Sequence, residues 1–162
     1  MTHSSLAPCE ANDFLLPHVL QMLSCYQKLT GKTLLPEETP QNTVAQTLYN
    51  APFVVLSHNA DSDPIFTYGN LAAQQLFEMS WAELTALPSR YSAEAPNREE
   101  RARLLKLVTE QGYIDSYEGI RISRTGKRFL VRNALVWNLF EPSGQRSGQA
   151  ATFSDWTFLQ NP

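Results

Sequence analysis

The chain has 162 residues, 43% apolar and 10% aromatic with only 18% charged, which suffices for one packed core and excludes a disordered tail, a collagen-like repeat or a coiled coil. Thirteen basic against sixteen acidic residues give a formal net charge of −3, so no broad nucleic-acid footprint is visible. Cys9 and Cys25 form no CxxC, and no apolar run approaches the ~20 residues of a membrane span, so a reducing, cytoplasmic setting is expected.

In chain order, Leu16, Val19, Leu20, Leu23, Tyr26 and Leu29 fall at helical spacing, and Gly31 stands where a C-terminal cap would. Pro17 is tolerable only near a helix start, so this helix is placed to begin within 13–17. The polar stretch 32–41 is the candidate boundary between an N-terminal helical extension with its linker, 1–50, and a main domain, 51–160. Thr39-Pro40 offers an N-cap and a proline at the first helical position for a short helix to Tyr49. Phe53–Leu56 and Ile65–Tyr68 flank a turn-rich segment and predict a hairpin.

Asn70 can cap a helix carrying Ala72, Ala73, Leu76 and Phe77, and Ser80-Trp81-Ala82-Glu83 is a capping box. Asn97–Glu100 should open a stronger helix with Ala102, Leu105 and Val108 on one face, stopped by Gly112. Strands are predicted over 113–123, 127–140 and 147–158. Within the second, the odd positions Phe129, Val131, Leu135, Trp137 and Leu139 should share a core face. The other face is also partly apolar and would be covered by the N-terminal helix or by a partner. The order predicts an α+β fold with one five-stranded antiparallel sheet, helices on one face, and an N-terminal helical extension.

Pro64–Ala73, Leu76-Phe77 and Ser80–Leu84 resemble the opening of a PAS domain, and glycine turns at Gly126 and Gly144 fit its closing strands. More closely, the chain resembles the free-standing bacterial branch of the MEKHLA family of PAS-like domains. The resemblance is carried by Leu87–Arg90, Ser92–Glu94, Asn97–Arg101, Gly119–Ser123, Val136–Leu139 and Gly148–Phe153. The hexapeptide that names the family is absent from this sequence, as are the homeodomain and basic zipper of its plant members, so the resemblance implies no DNA-binding role. Membership implies a sensing or interaction module without assigning a ligand. PAS relatives that bind flavin covalently use a cysteine inside the domain, whereas both cysteines here precede it, so no covalent flavin site is expected.

For ligand contact the sequence nominates Phe77, Asn133, Leu135, Trp137, Gln149 and Phe153 as a wall between sheet and helices, with Arg90 and Arg121 as groups for an acidic ligand. Asn133 interrupts an apolar face and needs partners there, with the Gln149 amide as a candidate. Trp137 reads more readily as core than as a ligand platform. Arg90 has an alternative use, an ion pair with Glu94 or with Glu99-Glu100. Alternation puts Arg121 on the solvent side or at a pocket rim. Arg121, Arg124, Lys127 and Arg128 read as a solvated turn.

Ser57 and His58, adjacent on a strand, point to opposite faces and cannot easily form a nucleophile–base pair, which leaves His58 as a turn or pocket-edge histidine. No metal-ligand motif and no glycine-rich phosphate loop is present. The expected function is therefore non-catalytic: a cavity that takes a small molecule, with signalling through a separate effector or a homodimer and no nucleic-acid or membrane partner. Leu16, Val19, Leu20, Leu23 and Tyr26 are the candidate packing stripe. The alternatives are a small cone-shaped isomerase-like enzyme using His58 or Asp115, and a scaffold whose pocket is filled by its own side chains.

Overall fold

The computed structural model describes residues 6–160. Helix α1 spans Leu16–Thr30 and starts where it does because Asp13, Phe14 and Leu15 hold left-handed backbone angles that a right-handed helix does not admit. It ends on Gly31, whose φ of 73° and N–H bond to the Gln27 carbonyl make the anticipated cap. Helix α2, Val44–Tyr49, is shorter than expected. Thr39-Pro40 does not open it, since the Pro40 carbonyl accepts both the Thr43 N–H and the Thr43 hydroxyl and closes a separate turn first.

Strands β1 (Val54–Asn59) and β2 (Phe66–Gly69) form the hairpin. The Asn59 side-chain oxygen accepts from Asp61 N and Ile65 N and so holds the loop. Asn70 is fully buried and uses its whole amide. Its oxygen accepts from Ala73 N, capping α3 (Leu71–Phe77), and from Val55 N, while its nitrogen donates to the Leu48 and Phe53 carbonyls. Helix α4 (Trp81–Leu84) has its capping box, with Ser80 and Glu83 exchanging bonds at 3.1 and 2.9 Å.

Helix α5 runs Ala95–Gln111, two residues earlier than the Asn97 start, because Pro96 fits a first turn whose N–H groups are unpaired in any case. Its buried face is Arg101, Leu104 and Val108, with Ala102 exposed, rather than the Ala102, Leu105 and Val108 of the sequence reading.

Strands β3 (Tyr113–Ile122), β4 (Arg128–Phe140) and β5 (Arg146–Phe153) complete an antiparallel path in the order β2-β1-β5-β4-β3. The predicted strand 147–158 breaks at Ser154. Its end becomes β6 (Asp155–Phe158), which pairs with β4 from Arg132↔Asp155 to Phe129↔Phe158 and brings the sheet to six strands.

The single-face pattern of β4 needs correcting. Asn133 has φ of 55° and sits in a bulge, where β4 places two residues, Arg132 and Asn133, between paired positions against the one, Glu118, that β3 places there. A bulge shifts parity, so Phe129 and Val131 lie on the inner face with Ala134 and Val136. Leu135, Trp137 and Leu139 face outward against α1 instead.

Helices α3 to α5 cover the inner face; α1 and α2 cover the outer one. Val19, Met22, Cys25 and Tyr26 of α1 are buried there with Trp137, Leu139 and Ala150, each large side chain contributing about 1.5–3 kcal/mol over exposure. Of the expected stripe, Val19 and Tyr26 are buried, and Leu16, Leu20 and Leu23 are half-buried against the same cluster.

Candidate functional site

Register puts His58 of β1, Gln149 of β5 and Asn138 of β4 in one row on the inner face. Gly148 permits the close approach of β1 and β5, since a Cβ there would collide with the His58 carbonyl. Gln149, 1% exposed, donates its amide at 3.0 Å to Asn138 Oδ1, the Leu105 carbonyl and Thr109 Oγ1. Asn138 Nδ2 donates to the Val108 carbonyl at 3.0 Å. The pair thus holds the last turns of α5 against the sheet. The partner of Gln149 is Asn138, not Asn133, because the bulge moves Asn133 out of this face and leaves it exposed.

Below that row, between α5 and the sheet, lies a cavity of about 70 Å³. Its apolar wall includes Leu56, Phe77, Leu104, Val131, Val136 and Phe153, and its polar side chains include His58, Arg101, Arg121 and Gln149. Of the eight nominated ligand residues, the fold therefore brings Phe77, Arg121, Gln149 and Phe153 together. Leu135 and Trp137 are on the outer face, where Trp137 Nε1 donates to the Met22 carbonyl at 3.2 Å. Arg90 is at the surface, paired with Asp63 and lying over the Tyr91 ring, rather than with Glu94 or the Glu99-Glu100 pair. The Ser89 N–H bond to the Pro64 carbonyl brings the hairpin loop beside Arg90 and selects that partner.

His58 donates Nδ1–H to the Asn59 carbonyl at 2.8 Å, which leaves Nε2 as a lone-pair acceptor, buried and without a partner among the described residues. Burial, with Arg101 and Arg146 nearby, lowers its pKa to about 4. Ser57 faces the other way, as alternation requires, and its hydroxyl meets His18 Nε2 of α1 and Thr67 Oγ1, each at 2.8 Å. Asp115 is exposed on β3 and does not line the cavity.

Sequence reasoning missed Arg101 and Asn138. Arg101 stands at i, i+3 and i+7 with Leu104 and Val108, so a cation on an apolar stripe was the available signal. Asn138 becomes visible only once the bulge is known. Among the described residues no cluster of three or more His, Cys, Asp or Glu could hold a metal ion, and no helix is long and apolar enough to cross a membrane.

A family model described as "MEKHLA domain" matches residues 16–158 and so takes in α1 and α2. The homeobox-leucine zipper protein ATHB-9 of Arabidopsis thaliana is 22% identical over 103 residues, 64% of this chain and 12% of that protein. The chain thus spans only about an eighth of the length of this curated relative. The PAS domain of a Colwellia psychrerythraea protein superposes with a TM-score of 0.58 at 12% identity, over 67% of this chain and 90% of that one. A light-oxygen-voltage domain described with a flavin analogue gives 0.57 at 11%, over 73% and 85%. These likenesses show a PAS-like fold. The cavity does not fit a flavin: about 70 Å³ is far below the about 300–1,000 Å³ of pockets for drug-sized ligands, and neither Cys9 nor Cys25 lines it.

Proposed function

The chain belongs to the MEKHLA domain family, and from that premise we propose a non-catalytic sensory module in which a small ligand between sheet and helices biases the packing of α1. The changed outer face is then read by an effector protein or by a second copy of the chain. Assignment to the free-standing bacterial branch, resting on the segments quoted above, is part of the same proposal.

The observation that carries it is the alternation along β1. His58 lines the cavity, and the next residue back, Ser57, bonds His18 of α1 across the sheet. A displacement of β1 by a ligand is therefore felt at α1 through one residue step. His58 also bears on the enzyme alternative, as the one ionisable histidine in the cavity. With a pKa near 4 it is a weak proton acceptor at neutral pH, which favours binding over acid–base chemistry.

Native mass spectrometry of the protein purified from its own host, beside its denatured mass, tests the ligand. Extra non-covalent mass is expected in the wild type and its loss in Ala151→Leu, which fills the cavity from β5. Equal, bare masses for both would overturn the sensor reading in favour of a self-filled scaffold.

A further inference from the structure

The cavity carries a charge imbalance. Arg101 reaches it from α5 at 8% exposure, and the only hydrogen bond its guanidinium makes among the described residues is to the Ser89 hydroxyl. Arg121 reaches it from β3, which bulges at Ser116 so that Tyr117, Gly119 and Arg121 share the inner face. Gly119 leaves room for the Tyr117 ring to fold over it, and the Arg121 guanidinium lies 5.6 Å from that ring's centroid. Among the described residues Arg121 donates only to the Ile120 carbonyl and, at 3.4 Å, to the Tyr117 hydroxyl.

Among the described residues neither cation has a carboxylate within ion-pair distance. Two acids of the same region are engaged elsewhere: Asp63 pairs with Arg90, and Glu100 accepts from the Tyr117 hydroxyl at 3.1 Å. By contrast, the other cations of the same hairpin each have an acidic partner: Arg124 with Glu83, Lys127 with Glu78 and Arg128 with Glu94. Burial and the nearby Arg121 hold the Arg101 pKa down to about 10, in keeping with two unneutralised charges side by side.

A buried guanidinium without a counter-ion is costly, and an anion from outside the chain removes the cost. The same cavity is lined by groups with free acceptors: the unpartnered His58 Nε2, and the Gln149 carbonyl oxygen, which makes no hydrogen bond among the described residues. Among the described residues no acid lines the space to receive a ligand ammonium, so a neutral donor such as a hydroxyl suits His58 better. The 70 Å³ exceeds the roughly 10–15 Å³ that one water needs and limits the occupant to a small molecule of a few non-hydrogen atoms.

We propose that this cavity binds a short-chain hydroxycarboxylate, its carboxylate shared by Arg101 and Arg121, its hydroxyl donating to His58 Nε2, and its alkyl part against Phe77, Val131 and Phe153. The proposal rests on the sensor reading above and supplies its ligand class.

The test is titration of the full chain with sodium lactate, propionate and lactamide, followed by the NMR signals of the arginine Nε–H groups and the Gln149 side-chain amide. Lactate should saturate those shifts, propionate should bind more weakly, and uncharged lactamide should bind roughly tenfold or more weakly, as loss of a charge-assisted contact requires. Arg101→Met and Arg121→Met should each weaken lactate by a similar factor. The wild-type comparison of lactate with lactamide stands even if a variant misfolds. Lactamide binding as tightly as lactate, or lactate affinity unchanged in Arg121→Met, would overturn the carboxylate assignment and leave the ligand-holding cavity in place. No binding of any of the three overturns the assignment too. If the host-purified protein is also bare, the sensor reading falls with it.

Discussion

At φ of 55° Asn133 occupies a conformation that costs most side chains roughly 1–2 kcal/mol, and asparagine tolerates it better than β-branched residues do. That single residue decides which side chains of β4 can reach the cavity. It keeps Val131, Ala134 and Val136 inward and sends Trp137 to α1. Being exposed, the Asn133 side chain contributes through its backbone. Asn133→Gly should therefore change stability by no more than about 0.5 kcal/mol, while Asn133→Val should cost about 1–2 kcal/mol in urea denaturation. Equal stabilities for the two variants would show that the bulge does not depend on that angle.

Among the elements, α1 is bound to the sheet by direct contacts as well as by apolar burial. Gln21 Nε2 donates to the Phe140 carbonyl at 3.0 Å and to Ser147 Oγ at 2.8 Å, and the Tyr26 and Trp137 rings meet edge to face at 5.0 Å. Met22 is fully buried under this helix, so Met22→Ala should cost about 2–5 kcal/mol by leaving a cavity, read as a shift in the urea midpoint. A loss below about 1 kcal/mol would mean that α1 rests loosely on the sheet. The elements whose chemistry is local were legible in the sequence: the Gly31 cap, the Asn70 cap, the Ser80–Glu83 box and the β1–β2 hairpin. Each is specified by neighbours within a few residues. The β4 bulge was not legible, because a bulge is a property of two strands and their register. With it went the parity of β4, the Asn138–Gln149 pair and the placement of Trp137. Arg101 was overlooked because the apolar face was read through Ala102 and Leu105, one position round from the Arg101 and Leu104 that the helix buries.

Across the whole molecule, two histidines on opposite faces of the sheet link folding to pH. His58 lines the inner cavity, faced by Arg101 from α5 and Arg146 from β5. His18 lies under α1, bonded to Ser57 and with its ring 5.8 Å from that of Tyr68. Burial lowers each pKa to about 4 from an ordinary 6.5. The unfolded chain takes up a proton at each site below about pH 6.5, and the native chain does so only near 4. Their contribution is therefore neutral above pH 6.5, and stability falls as pH drops from there towards 4. Glu78 and Glu83 act in a lower range. Hydrogen bonds from Thr125 and from the Ser80 N–H hold their carboxyls below the ordinary 4.5, so their contribution is lost only as pH falls further. Urea titrations at pH 7.5 and 5.0 should accordingly differ by about 2–4 kcal/mol, with the less stable state at pH 5.0 and about half the difference removed in His18→Gln. A difference under about 0.5 kcal/mol would show that both imidazoles remain hydrated in the native chain, and with them the inner cavity and the α1 interface.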